Sequence, residues 1–212
     1  MDSQPFPFDE YLERIGVPAG RPPTLDRLEE LQIAQQQAIP YENFDIHLGR
    51  PIDLSRSSLV NKLIRSRRGG YCFELNGLFL AALQASGFEC RPLLGRVLLG
   101  GEPTGRGHQL QLVTIDGRDW IVDVGFAAGP RHPMPFEFDR ETVHSGTTLR
   151  LIEHALGTML QSRTDEGWFD LYSFDLTPVI PSDIAYGNYF TSTNPSSFNF
   201  ANCLTNSGTV TS

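Results

Sequence analysis

The sequence predicts an α+β protein in which a helical first part precedes an antiparallel sheet or barrel. Apolar residues recur at helical spacing up to residue 86, and from residue 87 onward they fall into short runs that are typical of strands. These runs follow one another without helices between them, which favours an antiparallel arrangement over a doubly wound fold. The Asp116-Gly117 pair between two of the runs is a strong hairpin signal.

Four helices are predicted in the first part of the chain. The first covers Phe8–Ile15, and the second follows an N-cap at Thr24. The segment YENFDIHLGRPIDLS is then interpreted as a loop, after which Ser57 or Ser58 opens a third helix. The fourth helix is predicted over Cys72–Ala85, directly after a pair of glycines that ends the third.

The strand-like runs all lie between the fourth helix and a polar tail rich in Ser, Thr and Asn that begins at Ser182. They are CRPLLGRVLL, HQLQLVTID, DWIVDVGF, TLRLIEH, TMLQSR and WFDLYSFDL.

Composition excludes several classes of function. The chain has 212 residues and a formal net charge of −8, which argues against nucleic acid as the main ligand. Its longest unbroken apolar stretch, Leu78–Leu83, is far shorter than the roughly 20 residues of a membrane span. The start lacks a signal pattern, and three cysteines are too few for a disulfide framework, so a reduced, cytoplasmic protein is predicted. No Cys-x-x-Cys pair or spaced His/Cys set predicts a metal site, and Cys90 and Cys203 are interpreted as structural.

Cys72 is the candidate nucleophile. It lies in the first turn of the fourth helix, after RRGGY, where free backbone N–H groups and the positive end of the helix dipole stabilise a thiolate. The alternative interpretation is a buried core cysteine.

His108 and Asp123 are the candidate partners of that thiolate, because a thiolate nucleophile needs a base and the base needs an orienting group. They lie 8 and 6 residues from the Asp116-Gly117 turn, which places them near one another across a hairpin. A carboxylate in the apolar run WIVDVGF is costly unless it is paired. Alone, Asp123 is more simply interpreted as a strand-end or turn carboxylate and His108 as a solvated histidine. Together with Cys72 they predict a Cys–His–Asp triad.

The stretch RRGGYCFELNGLF resembles the active-site signature of the arylamine N-acetyltransferases, whose Cys, His and Asp correspond to Cys72, His108 and Asp123. The segments IPYENFDIHLGRPIDL, DWIVDVGF and NYFTSTNPSSF are similar to further parts of that family. The resemblance therefore covers nearly the whole chain.

The resemblance implies a three-domain enzyme with a cysteine-protease/transglutaminase-like arrangement of the triad. Its domains are expected to be a helical bundle over residues 1–86, a β-barrel over 87–185 and the start of an α/β lid over 186–212. The implied reaction is ping-pong acetyl transfer from acetyl-CoA to an arylamine, arylhydrazine or hydrazide, through an acetyl-Cys72 thioester, as in xenobiotic metabolism. Acetyl-CoA is then a co-substrate, and no permanently bound cofactor is expected.

The same resemblance suggests seven binding residues. Those matching positions of the family's acceptor pocket are Tyr41, Val97, Phe126 and Phe198, and those suited to backbone contacts with acetyl-CoA are Thr104, Gly105 and Gly125. The alternative interpretation of the apolar ones is an ordinary core position.

Five polar residues near the nucleophile have less direct roles. Arg67 and Arg68 are interpreted as phosphate binders or as a solvated helix end, with Glu42 as an alternative partner of Arg68. Glu74 and Asn76 are interpreted as local scaffold groups.

Members of this family usually run well beyond 212 residues, so the resemblance implies an incomplete lid. An incomplete lid would expose apolar surface, which predicts self-association.

Two alternative functions follow from the same residues. One is a thiol hydrolase or transglutaminase-like acyl transferase, and the other is a catalytically impaired, truncated family member.

Overall fold

The structure, a computed structural model, describes residues 5–99, 101–144 and 146–197, together with the backbone of residues 205–206. Within that part of the chain the helices are α1 (Phe8–Ile15), α2 (Leu25–Ala38), α3 (Phe44–His47), α4 (Arg56–Leu59), α5 (Cys72–Ala85) and α6 (Pro181–Thr193). A π-helical segment, Val60–Arg65, continues α4.

Helices α1 and α5 have the bounds that the sequence predicts. The predicted cap of α2 is confirmed, because the Thr24 hydroxyl accepts a hydrogen bond from the Arg27 backbone N–H at 3.3 Å. The segment predicted to be a loop contains the short helix α3, which is a correction. Its first N–H, on Phe44, donates to the Glu42 carboxylate at 2.9 Å, so a side chain outside the helix supports a turn that has no helical periodicity of its own.

The predicted start of the third helix is wrong by two or three residues. The cap is Ser55, whose hydroxyl accepts from the Ser58 N–H at 3.3 Å. Asp53 supports this earlier start by accepting from the Ser55 N–H at 2.8 Å and from the Ser58 hydroxyl at 2.6 Å. Ser58 therefore lies inside the helix, and its hydroxyl reaches back to the turn before it.

The strands are β1 (Tyr41–Glu42), β2 (Glu89–Val97), β3 (His108–Ile115), β4 (Arg118–Val122), β5 (Met134–Pro135), β6 (Thr142–His144), β7 (Thr147–His154), β8 (Gly157–Thr164), β9 (Gly167–Phe174) and β10 (Thr205–Asn206). Eight of them form one antiparallel sheet in the order β5-β4-β3-β2-β9-β8-β7-β6, a nearly closed barrel, and β1 pairs with β10. The six predicted runs correspond to β2, β3, β4, β7, β8 and β9. The four strands that the sequence did not predict have two or three residues each, too few to show a period.

The predicted hairpin between β3 and β4 is confirmed. Asp116 and Gly117 have φ of 51° and 73°, the left-handed conformation that a two-residue type I′ turn requires. Gln111 pairs with Val122 in this hairpin. The same register places Asp123, just past the end of β4, on the face of the sheet that carries His108.

Two hydrophobic cores meet at β3. One lies between the helices and one face of the hairpin and contains Val113, and the other fills the barrel and contains Leu110 and Leu112. Side chains alternate along a strand, so His108, the first residue of β3, lies on the same barrel-interior face as Leu110 and Leu112.

The division into domains stays a prediction. Helix α5 ends at Ala85 and β2 begins at Glu89, on either side of the 86/87 boundary. The 185/186 boundary falls inside α6. Residues 198–204 and 207–212 of the predicted lid lie outside the described residues.

Candidate active site

Cys72 is held at the start of α5 by a closely packed glycine turn. A side chain on Gly69 would collide with the Pro40 carbonyl oxygen, and one on Gly70 would come within 3.0 Å of Glu74. The Glu74 carboxylate accepts from the Tyr71 N–H at 3.1 Å, which satisfies a donor just before the helix. The local sequence therefore determines where the nucleophile's helix begins.

A cluster of buried charges lies beneath this turn. The Lys62 ammonium contacts the carboxylates of Asp45 at 2.8 Å and Glu74 at 2.7 Å. The Arg68 guanidinium contacts Glu42 at 2.7 Å and Asp45 at 3.0 Å, so the pairing of Arg68 with Glu42 that the sequence suggested is confirmed. Arg67, in contrast, is exposed and has a left-handed backbone, with φ of 51°.

Burial and the neighbouring charges shift the pKa values of the carboxylates in this cluster. Burial raises the pKa of Glu74, and the nearby Lys62 ammonium only partly offsets that effect. Burial also acts to raise the pKa of Asp45, but hydrogen bonds and attraction from Lys62 and Arg68 outweigh it and lower the pKa to about 2. The cluster therefore keeps Asp45 ionised near the nucleophile's helix.

His108 and Asp123 form a buried pair. Their side chains are 2% and 0% exposed, and Nε2 of His108 lies 2.7 Å from Oδ2 of Asp123. The other carboxylate oxygen, Oδ1, accepts from Asn76 Nδ2 at 3.0 Å and from the Gly125 N–H at 2.8 Å. Asn76 also accepts from the Val124 N–H at 3.1 Å, so it holds the aspartate in place from α5, as a scaffold group.

Electrostatics favour the ion pair. Burial acts to lower the pKa of His108, but the charge and hydrogen bond of Asp123, with a further contribution from Cys72, raise it well above its ordinary value. Burial acts to raise the pKa of Asp123, and attraction and a hydrogen bond from His108 lower it instead. The imidazole is thus suited to receive and keep a proton.

Cys72 and His108 meet at one cleft. The Cys72 thiol donates to the carbonyl oxygen of Gly107, the residue directly before His108, with Sγ and O 3.8 Å apart. Cys72 is only 3% exposed. The starts of α5 and β3 and the end of β4 therefore bring the three predicted side chains together.

The cleft is a cavity of about 370 Å³ lined mainly by apolar groups. Beside Cys72 and His108, six of the seven predicted binding residues line it, namely Tyr41, Val97, Thr104, Gly105, Gly125 and Phe126. Phe198 lies outside the described residues. Whether these residues bind substrate stays a prediction.

Part of the cavity wall was not predicted from the sequence. These lining residues are Leu99, Gly107, Ala128, Phe190, Thr191, Ser196 and Ser197; Ala127 also lines the cavity. Phe190 and Thr191 lie on α6, in a segment interpreted as a polar tail and, by resemblance, as the start of the lid, but not as a helix. The Pro181 that opens this helix was the available signal, since proline is favoured in the first turn.

Tyr172 was also missed. It is fully buried in β9, and its ring centroid lies 5.1 Å from that of His108 and 5.0 Å from that of Phe126. Its neighbours are distant in sequence, so no local pattern identifies it. It fixes the imidazole on the side of the barrel interior.

The described residues lack two features. They contain no group of three or more His, Cys, Asp or Glu side chains that could hold a metal ion. In the same part of the chain, no helix is long and apolar enough to cross a membrane.

The fold and the site define a class, that of α+β proteins in which a cysteine at a helix start lies at the same cavity as a histidine paired with a buried aspartate. A family model described as N-acetyltransferase matches residues 24–211. The arylamine N-acetyltransferase / N-hydroxyarylamine O-acetyltransferase of Salmonella typhimurium is 41% identical over 193 residues, which are 88% of this chain and 68% of that protein. The arylamine N-acetyltransferase of Escherichia coli is 36% identical over 194 residues, 90% of this chain and 69% of that protein.

Solved structures agree with these relatives. The Salmonella typhimurium arylamine N-acetyltransferase structure has a TM-score of 0.90 at 36% identity and covers 95% of this chain and 75% of that one. The Mycobacterium marinum arylamine N-acetyltransferase in complex with CoA has a TM-score of 0.85 at 35% identity and covers 91% of this chain and 74% of that one. The chain belongs to the arylamine N-acetyltransferase family and is an enzyme of that transferase family.

Proposed function

We propose that this chain transfers an acetyl group from acetyl-CoA to an arylamine, arylhydrazine or hydrazide through an acetyl-Cys72 thioester. The observation that carries the proposal is the buried His108–Asp123 pair, 2.7 Å apart, at the cavity that also contains Cys72. The family relationship and the CoA complex of a structural neighbour support acetyl-CoA as the donor.

In the first half-reaction, the proton of the Cys72 thiol passes to the free ring nitrogen of His108, while Nε2 stays bonded to Asp123. The thiolate attacks the thioester carbonyl of acetyl-CoA, and the tetrahedral intermediate collapses with release of CoA, which takes the proton back from His108. Exchange between two thioesters is close to isoenergetic. The backbone N–H of Cys72 at its helix start is the proposed donor to the oxyanion.

In the second half-reaction, the neutral amine attacks the acetyl-Cys72 carbonyl, and the thiolate leaves as the amide forms. His108 takes the proton that the amine loses and returns it to the sulfur, which gives two separate half-reactions and ping-pong kinetics. Arylamines suit this step because they are mostly unprotonated at neutral pH. The aromatic walls of the cavity at Tyr41 and Phe126 fit a flat acceptor ring.

The proposed binding roles follow the cavity. Tyr41, Val97 and Phe126 would contact the acceptor, and Thr104 and Gly105 on the turn before His108 would contact the pantetheine arm. A cytoplasmic location and self-association remain predictions from the sequence.

The test is incubation of the purified chain with acetyl-CoA and no acceptor, followed by peptide mass mapping, with Cys72→Ala and Cys90→Ala in parallel. We expect acetyl on Cys72 in the wild type and in Cys90→Ala, and its loss to an added arylamine. Cys90 is the matched control because burial raises the pKa of its thiol to about 11. A folded chain that stays unacetylated would overturn the proposal, and steady CoA release without acceptor would replace it with thiol hydrolysis.

A further inference from the structure

Helix α6 packs against the turn that carries His108. A side chain on Gly187 would come within 2.8 Å of the Arg106 carbonyl oxygen and of the Phe73 ring. Arg106 also forms an ion pair with Asp175, just before the helix. The turn before His108 therefore packs directly against α6.

The middle of α6 is anchored to the helical part of the protein. The Asn188 side chain accepts from the Tyr71 hydroxyl and donates to the Ile52 carbonyl oxygen at 3.0 Å. Tyr71 directly precedes the nucleophile. These contacts fix the position of α6 relative to both Cys72 and His108.

One carbonyl group receives two donors at this junction. The Gly107 oxygen accepts from the Thr191 hydroxyl at 3.3 Å and from the Cys72 thiol at 3.8 Å. Thr191 is 6% exposed, and its own carbonyl accepts from the Ser197 hydroxyl at 2.6 Å, which holds this end of the helix in place. A methyl group on Gly107 would lie 2.6 Å from the Thr191 hydroxyl oxygen, so the close contact between α6 and the residue before β3 requires glycine.

A carbonyl oxygen that faces a thiol opposes its ionisation, because it accepts the S–H proton and repels the negative sulfur that forms when the proton leaves. A second donor on that oxygen weakens both effects. We propose that Thr191 is a positioning residue for the nucleophile, whose hydroxyl occupies the Gly107 carbonyl so that the Cys72 thiol gives its proton to His108. The inference rests on the proposed function only in taking Cys72 as the nucleophile.

The test measures the reactivity of the Cys72 sulfur without acetyl-CoA. Iodoacetamide alkylates the thiolate with loss of iodide, and peptide mass mapping gives the rate at Cys72 alone, at pH 7. We compare Thr191→Val and Thr191→Ala, which lack the hydroxyl, with Thr191→Ser, which keeps it. Thr193→Val is the matched control, since the Thr193 hydroxyl on the same helix is exposed and donates to the Tyr189 carbonyl.

We expect the two hydroxyl-free variants to react about three- to tenfold more slowly than wild type, the range of one net hydrogen bond. Thr191→Ser should recover most of the rate, and Thr193→Val should match wild type. Wild-type rates in both hydroxyl-free variants, or a Thr191→Ser variant as slow as they are, would overturn the proposal. Thermal unfolding is recorded for each variant. Unfolding of both hydroxyl-free variants while Thr191→Ser folds would assign Thr191 a structural role and also overturn it.

This experiment separates the two proposals. If the alkylation rates differ as expected but acetyl-CoA never labels Cys72, the acetyl-transfer proposal fails and the role of Thr191 stands. If acetyl-CoA labels Cys72 but all the alkylation rates agree, only the role of Thr191 fails.

Discussion

Replacement of Lys62 by methionine tests the buried charge cluster beneath helix α5. The Lys62 ammonium lies 2.7 Å from Glu74, 2.8 Å from Asp45 and 3.9 Å from Glu42, and its side chain is 16% exposed. Methionine keeps most of the aliphatic volume and removes the charge. Three largely buried carboxylates then lose one of the cations that balance them.

The magnitude follows from burial. Removing one partner of a buried ion pair costs about 3–5 kcal/mol, and the lower end applies because the Lys62 side chain keeps some contact with water. A loss of about 3 kcal/mol corresponds to a fall in Tm of about 6–12 °C in a protein of this size. Urea unfolding followed by circular dichroism at pH 7.5 measures the change in the free energy of unfolding.

The deficit should depend on pH. The pKa of Asp45, lowered to about 2 from an ordinary value of 3.8, contributes stability that is present above pH 3.8 and is lost as the pH falls towards 2. Loss of Lys62 raises the pKa values of Asp45 and Glu74, so both carboxylates take up protons at higher pH in the variant than in wild type. The difference in stability is therefore largest at pH 7.5, begins to narrow above pH 4.5 as Glu74 of the variant takes up a proton, and narrows further as the pH falls towards 2 and Asp45 is protonated.

Arg65→Met is the matched control. Arg65 belongs to the same π-helical segment, but the side chains of its ion pair with Glu10 are 54% and 45% exposed, so we expect a much smaller loss of stability than for Lys62→Met. If Lys62→Met is no more destabilising than Arg65→Met at pH 7.5, or if its deficit does not change down to pH 3, the reasoning about this cluster is wrong.

Two further substitutions test the site itself. Asp123→Asn removes the charge that raises the pKa of His108, so that burial lowers this pKa instead. We expect NMR to show the histidine titrating below its ordinary range. Turnover should fall on the order of 10³- to 10⁴-fold. Unchanged turnover would show that the carboxylate charge is not needed. Gly107→Ala places a methyl group 2.6 Å from the Thr191 hydroxyl oxygen and should lower the free energy of unfolding by about 1–3 kcal/mol. Gly105→Ala, which has open space around it, should not lower it. Equal unfolding midpoints for the two variants would contradict this.

Local sequence patterns predicted the elements that carry their own signals. Helix α5 and the β3–β4 hairpin follow from periodicity and from two residues in the left-handed turn, and these features alone suggested that His108 and Asp123 lie near each other. The short helix α3 and the early start of α4 were not predictable in this way. Both depend on single side chains, Glu42 and Asp53, that bond to backbone groups outside any repeating pattern.

The cavity wall shows the same limit. Six predicted binding residues lie on it, but Thr191 on the same wall and Tyr172 against the His108 ring were not foreseen. Tyr172 reaches His108 through the barrel interior, and Thr191 reaches Gly107 through the packing of α6 on the barrel edge. Neither contact involves residues close in sequence.

The sequence by itself determined four of the helices and the six longer strands in their order, the hairpin and the identity of the three candidate side chains, because each has a local conformational or chemical signal. Only the tertiary structure decided which face of β3 turns to the barrel, that Asn76 holds Asp123, and that α6 shares the Gly107 carbonyl with Cys72. These depend on sheet closure and helix packing, which bring together residues tens of positions apart through burial that no short stretch of sequence specifies.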